Sequence, residues 1–118
     1  MRYLMFIKHA EDSKGVVPPA GLMKAMEAFV GENLKSGALI DTAGLRPTSE
    51  AKRVRSAGGK LITTDGPFTE AKEVVGGYAL VEAKSKEEAM DLATKFMELH
   101  RVHWPEFECA CEVRQLDH

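Results

Sequence analysis

Cysteine is almost missing from this chain: of 118 residues only Cys109 and Cys111 carry a thiol. If both lie on one strand, residues two apart point the same way with Cα atoms about 6.6–6.8 Å apart, the far limit of disulfide geometry. No structural disulfide is expected. Long apolar runs are missing too. Uncharged stretches such as Val74–Val81 fall well short of the roughly 18–20 apolar residues that span a membrane. Near the N-terminus, Tyr3–Ile7 is shorter than the about 7–15 apolar residues of a signal peptide. The expectation is a cytoplasmic protein with no membrane partner. Excess charge of one sign is also lacking: 16 Lys+Arg stand against 18 Asp+Glu, a net −2. That argues against a direct nucleic-acid binder, which relies on bulk positive charge. Gly58-Gly59 and Gly76-Gly77 lack the spacing and lysine of a phosphate loop, and no cofactor is expected.

What is present suits one domain over residues 1–118. The apolar fraction is 44% and the charged fraction 29%, both usual for a folded domain of this size. Arg2–Lys8 reads as a first strand, with Leu4 and Phe6 on one face and Tyr3, Met5 and Ile7 on the other. Both faces are apolar, so both should be covered. Glu11–Val17 is polar and reads as a loop, and Pro18-Pro19 supplies a proline for the first turn of a helix. Leu22, Met26, Phe29, Val30 and Leu34 recur at helical spacing, and Gly37 marks the stop. A short strand follows at Ala38–Thr42.

Ala51–Ala57 and Lys60–Asp65 flank Gly58-Gly59, which can take the positive φ of a two-residue hairpin turn. In that register Arg55 faces Ile62, Val54 faces Thr63 and Lys52 faces Asp65. Thr69–Glu73 is expected to form one helical turn. Val74–Ala83 is a further strand, where Gly76-Gly77 suggests a bulge or a close backbone approach. Ser85-x-x-Glu88 is a capping box opening a second helix, whose stripe is Ala89, Leu92, Ala93, Phe96, Met97 and His100. Phe107–Leu116 closes the chain as a strand. The order β-α-β, hairpin, β-α-β predicts an α+β, ferredoxin-like fold with an antiparallel sheet. Helices on one face leave the other apolar face uncovered, which predicts a homodimer with the two sheets face to face.

The most distinctive stretch is Asp65-Gly66-Pro67-Phe68-Thr69-Glu70-Ala71-Lys72-Glu73. Asp65 starts a turn that Gly-Pro drives sharply out of the strand. It is either a structural turn residue paired with Lys52 or a general acid/base at a pocket beside the sheet. Phe68 is either a buried loop anchor or a substrate contact. His9 extends the Tyr3, Met5, Ile7 face to the strand end, where an imidazole suits proton transfer near neutral pH, although a surface histidine is the commoner outcome. His100 is either a satisfied core histidine or a pocket wall. From Arg46 to Lys60 five basic residues meet one acid, Glu50. This is a solvated hairpin or an anion site around Arg55. His100, His103, Cys109 and Cys111 are zinc-type donors, but structural zinc sites favour about two to four residues between cysteines. Both cysteines fall on the core-facing side of their strand, and no metal is expected.

The Asp65–Glu73 stretch resembles the signature of the DGPF proteins, a branch of the YCII-related family. Further stretches resemble it as well: Met1–Lys8, Gly44-Leu45-x-Pro47, Val54-Arg55 with Gly58-Gly59-Lys60, Gly77–Ala89 and Glu112–Gln115. The resemblance implies a dimeric α+β barrel with a pocket between sheet and helices in each subunit. It places the signature aspartate on Asp65. It also implies acid/base chemistry on a small organic molecule, of isomerase, lyase or dehydrochlorinase type, with Asp65 as base paired to a histidine. The resemblance does not place that histidine, and His9 is the candidate its position at the strand end offers. The alternative it implies is a non-catalytic ligand-binding or stress-regulatory module in a sigma-factor pathway. A third reading leaves the signature turn a purely structural role.

Overall fold

The computed structural model describes residues 1–11 and 16–117. Strand β1 is Arg2–Ala10, helix α1 is Ala20–Ser36, and strand β2 is Leu39–Gly44. A single 3-10 turn at Thr48–Glu50 leads into β3, Lys52–Ala57, and β4, Lys60–Asp65. Then come β5, Glu73–Glu82, helix α2, Lys86–His103, and β6, Cys109–Gln115. Four strands form an antiparallel sheet in the order β2-β5-β1-β6, and β3 and β4 pair only with each other. This is the expected α+β, ferredoxin-like arrangement. Among the described residues no helix is long and apolar enough to cross a membrane.

The core lies between one sheet face and the two helices. Tyr3 and Met5 of β1 and Val81 of β5 are buried with Ala89 and Ala93 of α2. Alternation along β1 is what selects them, because every second side chain meets the helices. The opposite face carries the cross-strand pairs Leu4–Leu80 and Phe6–Tyr78, all partly exposed. Helix α2 opens with the serine half of the capping box, Ser85 Oγ accepting from the Glu88 N–H at 3.2 Å. Helix α1 ends at Gly37, whose φ of 84° is the left-handed stop. Its stripe is narrower than the spacing suggests, since Leu34 is 48% exposed.

The β3–β4 hairpin has the expected register: Lys52 opposite Asp65, Val54 opposite Thr63, Arg55 opposite Ile62. The expected bulge is also present in β5. Ile7 pairs with Gly77 and Lys8 with Val75, so Gly76 is the extra residue.

Three local expectations are corrected. Pro19 occupies the N-cap of α1 and lies just outside its first turn, with its carbonyl accepting from the Met23 N–H. Thr69–Glu73 is not helical: one bond from the Ala71 N–H to the Phe68 carbonyl closes a turn, and Glu73 is drawn into β5 opposite Ala10. Phe107 does not open β6. It stacks on Trp104 with ring centroids 4.1 Å apart, and its N–H bonds the Trp104 carbonyl, so the chain turns before the strand can start.

Candidate functional site

A cavity of about 840 Å³ opens between the sheet and the helices. That is room for a small organic molecule, since such sites run from about 300 to 1,000 Å³. Its walls are largely apolar: Met5 and Ile7 from β1, Met26, Phe29 and Val30 from α1, Phe96 from α2. The polar side chains on these walls include His9, Glu11 and His100.

His9 stands at the end of β1, on the face that begins with Tyr3. Its Nδ1 lies 2.9 Å from the Ala10 carbonyl, which can only accept. Nδ1 therefore carries the proton in the neutral ring, and Nε2 holds the basic lone pair. The ring sits where β5 bulges: a Cβ built on Gly76 would lie 2.7 Å from His9 Nε2. Phe107 flanks the ring, with centroids 5.8 Å apart.

Glu11 continues the same face by one further step and is only 8% exposed. Its Oε1 accepts from Thr48 Oγ1 at 2.6 Å and from the Phe68 backbone N–H at 3.1 Å. Its Oε2 is buried with no partner among the described residues. Burying a carboxylate oxygen without a donor is expensive, and buried polar atoms in folded proteins nearly always have a partner.

The signature stretch acts on this site through Glu11. Gly66 is packed so tightly that a Cβ there would stand 1.8 Å from the Thr48 carbonyl oxygen. Its N–H donates to the Ala51 carbonyl at 2.8 Å. Arg53 lies over the Phe68 ring, with its guanidinium carbon 3.8 Å from the centroid, and pairs with Glu70 at 2.5 Å. A hydrogen bond from its own backbone N–H and then Arg53 hold the Glu70 carboxyl below its usual range. The loop is thereby fixed on the hairpin, and the Phe68 N–H is presented to Glu11.

The expected site residues divide between two places. His9 and His100 line the cavity. His100 is buried, with Nδ1 donating to the Phe96 carbonyl at 3.1 Å, so it is both a satisfied core histidine and a wall. Asp65, Arg55 and Phe68 do not line it. Asp65 is 76% exposed at its side chain and pairs with Lys52 at 3.4 Å. Arg55 is exposed on β3, and Phe68 anchors the loop beneath Arg53. Glu11 and Thr48 were not foreseen. One signal was available, since Glu11 follows His9 at the strand spacing that picked out His9.

Cys109 and Cys111 are free, and Cys111 lines the cavity. Burial, followed by the neighbouring Cys109, pushes the Cys111 thiol up to about 11, and burial raises Cys109 as well. Burial thus disfavours the thiolate form of both. Among the described residues no three His, Cys, Asp or Glu side chains are grouped to hold a metal ion.

The chain is 36% identical over 72 residues to an uncharacterised protein of Rhizobium meliloti (strain 1021), a match covering 61% of this chain and 58% of that relative. The chain therefore spans less than two thirds of the relative's length. The model of the YCII-related domain matches residues 1–97, most of the sequence and all of the cavity's sheet except β6. The chain belongs to the YCII-related family.

Proposed function

We propose that this protein binds a small, largely apolar organic molecule between its sheet and helices and moves a proton on it, with His9 as the base. The observation that carries this reading is the placement of His9 on the wall of an apolar cavity of about 840 Å³, with Nδ1 committed to the Ala10 carbonyl. That bond fixes the tautomer and orients the ring, as a general base requires. The apolar walls would bind the substrate's body and exclude water. In this reading Glu11 is the second polar contact and Asp65 braces the hairpin through Lys52. Deuterium wash-in tests it. Aryl ketones and phenolic lactones with an acidic C–H, incubated with the protein in D2O, should lose that proton signal by NMR. His9→Ala should slow the loss by about 10²–10⁴-fold. Equal rates in the variant would remove His9 from the chemistry.

The sheet face opposite the helices supports a homodimer. Leu4, Phe6, Tyr78 and Leu80 form its apolar centre and are only partly covered in a single chain. Light scattering at micromolar concentration should give twice the mass of one chain, and a monomeric mass would count against the face-to-face arrangement.

A second reading, a non-catalytic regulatory module acting with a sigma factor, has the hairpin behind it. Val54 and Leu61 are exposed there beside Arg55 and Lys60, which form no ion pair among the described residues. Co-purification of an extracytoplasmic-function sigma factor, lost on Arg55→Ala with Lys60→Ala, would support it. An unchanged yield in that variant would count against the hairpin as the docking element.

A further inference from the structure

We infer that Glu11 is the anchor for a protonated amine, and that the cavity takes an aromatic or aliphatic molecule carrying one. The inference rests on the pocket reading above and names the ligand's chemistry. Among the described residues three charged side chains other than the histidines reach the cavity wall: Glu11, Glu27 and Arg46. Glu27 is exposed, and Arg46 is exposed and paired with Glu50 at 3.1 Å. Glu11 alone is buried.

The carboxylate is half used. Oε1 is held by Thr48 Oγ1 and the Phe68 N–H, which fix its position. Oε2 has no donor among the described residues. A ligand that supplies a donor there removes an existing penalty and adds a charge-assisted hydrogen bond. A cationic N–H donor does this best, because it also neutralises a charge that no buried lysine or arginine among the described wall residues meets. A carboxylate ligand would meet repulsion at the same atom. The rest of the wall suits an apolar body: Phe29 and Phe96 pack at a tilt of 47° with centroids 5.8 Å apart, and Trp104 also lines the cavity. An ammonium head on a ring-bearing or branched tail therefore matches the cavity in both charge and shape.

Three probes of nearly equal size separate the chemistry: 2-phenylethylamine, 2-phenylethanol and phenylacetate, titrated by calorimetry at pH 7. The amine should bind about ten-fold or more tighter than the alcohol, with phenylacetate weakest. Glu11→Gln keeps an oxygen for Thr48 and Phe68 but places an amide N–H where Oε2 stood. It should cost the amine more affinity than the alcohol and so erase the amine's advantage. If that variant does not fold, the wild-type ranking decides by itself. Equal affinity for amine and alcohol, or tighter phenylacetate, would overturn the amine anchor and leave the pocket standing. No binding of any of the three, nor of the ketones and lactones above, would overturn both.

Discussion

Gly76 and His9 occupy one another's space: a side chain at position 76 would begin 2.7 Å from the Nε2 of His9. The β5 bulge and the candidate base are therefore a single feature. The extra residue in β5 has no side chain, and the imidazole lies where that side chain would be. The backbone also works here, since the Gly76 carbonyl accepts from the Leu45 N–H at 2.9 Å and ties the β2 end to the bulge.

Gly76→Ala is the first prediction. The methyl group must push the His9 ring aside, because a side chain yields before backbone does. The cost in stability should be about 1–2 kcal/mol, typical of mild overpacking. The loss of wash-in activity should approach that of His9→Ala. In the double variant Gly76→Ala with His9→Ala the stability cost of the alanine should largely vanish, because its collision partner is gone. Urea denaturation of the four proteins measures this, and additive costs would show that the two residues do not collide.

Gly66→Ala should behave differently. Its Cβ would lie 1.8 Å from the backbone oxygen of Thr48, which cannot rotate away. Either the 3-10 turn or the signature loop must move, at a cost of at least about 2–3 kcal/mol. The Thr48 and Phe68 donors should leave Glu11 together, visible as loss of protection of the Phe68 amide in hydrogen exchange. A stable variant with that amide still protected would contradict the tight packing.

Asp65→Asn tests the division between hairpin and cavity. The Lys52 pair is exposed at both ends, and such pairs contribute little. The melting temperature should stay within about 3 °C of the parent, and ligand affinity should be unchanged. Loss of wash-in with fold and affinity intact would return the catalytic role to Asp65.

The buried thiols give a pH dependence with a definite sign. Cys111 ionises near 9.0 in its reference state but only at about 11 when folded. Its folded value is raised, so the stability it contributes is fully present below about pH 9. That contribution is lost as pH rises toward about 11, because only the unfolded chain releases the proton early. Chemical denaturation at several pH values from 8 to 11 should show this decline, and Cys111→Ala should flatten it. At pH 8 a group with a pKa near 11 is thiolate in about one molecule per thousand, so thiol reagents should label Cys111 slowly in the folded protein.

Local rules account for much of this molecule. The Gly58-Gly59 turn set the hairpin register, because two residues at positive φ leave only one pairing of the flanking strands. The capping box at Ser85, the stop at Gly37 and the alternation along β1 are also local, and each was legible because neighbours in sequence supply the energy. The β-α-β order then left few ways to arrange the sheet.

The candidate site was legible only in part. His9 could be found because strand periodicity carries a side chain to the sheet end, and the same periodicity points one step further to Glu11. What no local rule could supply is that Glu11 would be buried. Its surroundings come from Thr48 and Phe68, which are distant in sequence and meet it only after the hairpin has folded back. For the same reason the Asp65 turn looked like a place for chemistry. Its composition is distinctive, but whether its carboxylate faces solvent or a cavity depends on packing between segments that local sequence does not encode. Sequence by itself determined most of the elements, the hairpin register and the strand face that carries His9. Tertiary structure alone decided which carboxylate is enclosed, because burial belongs to several segments at once.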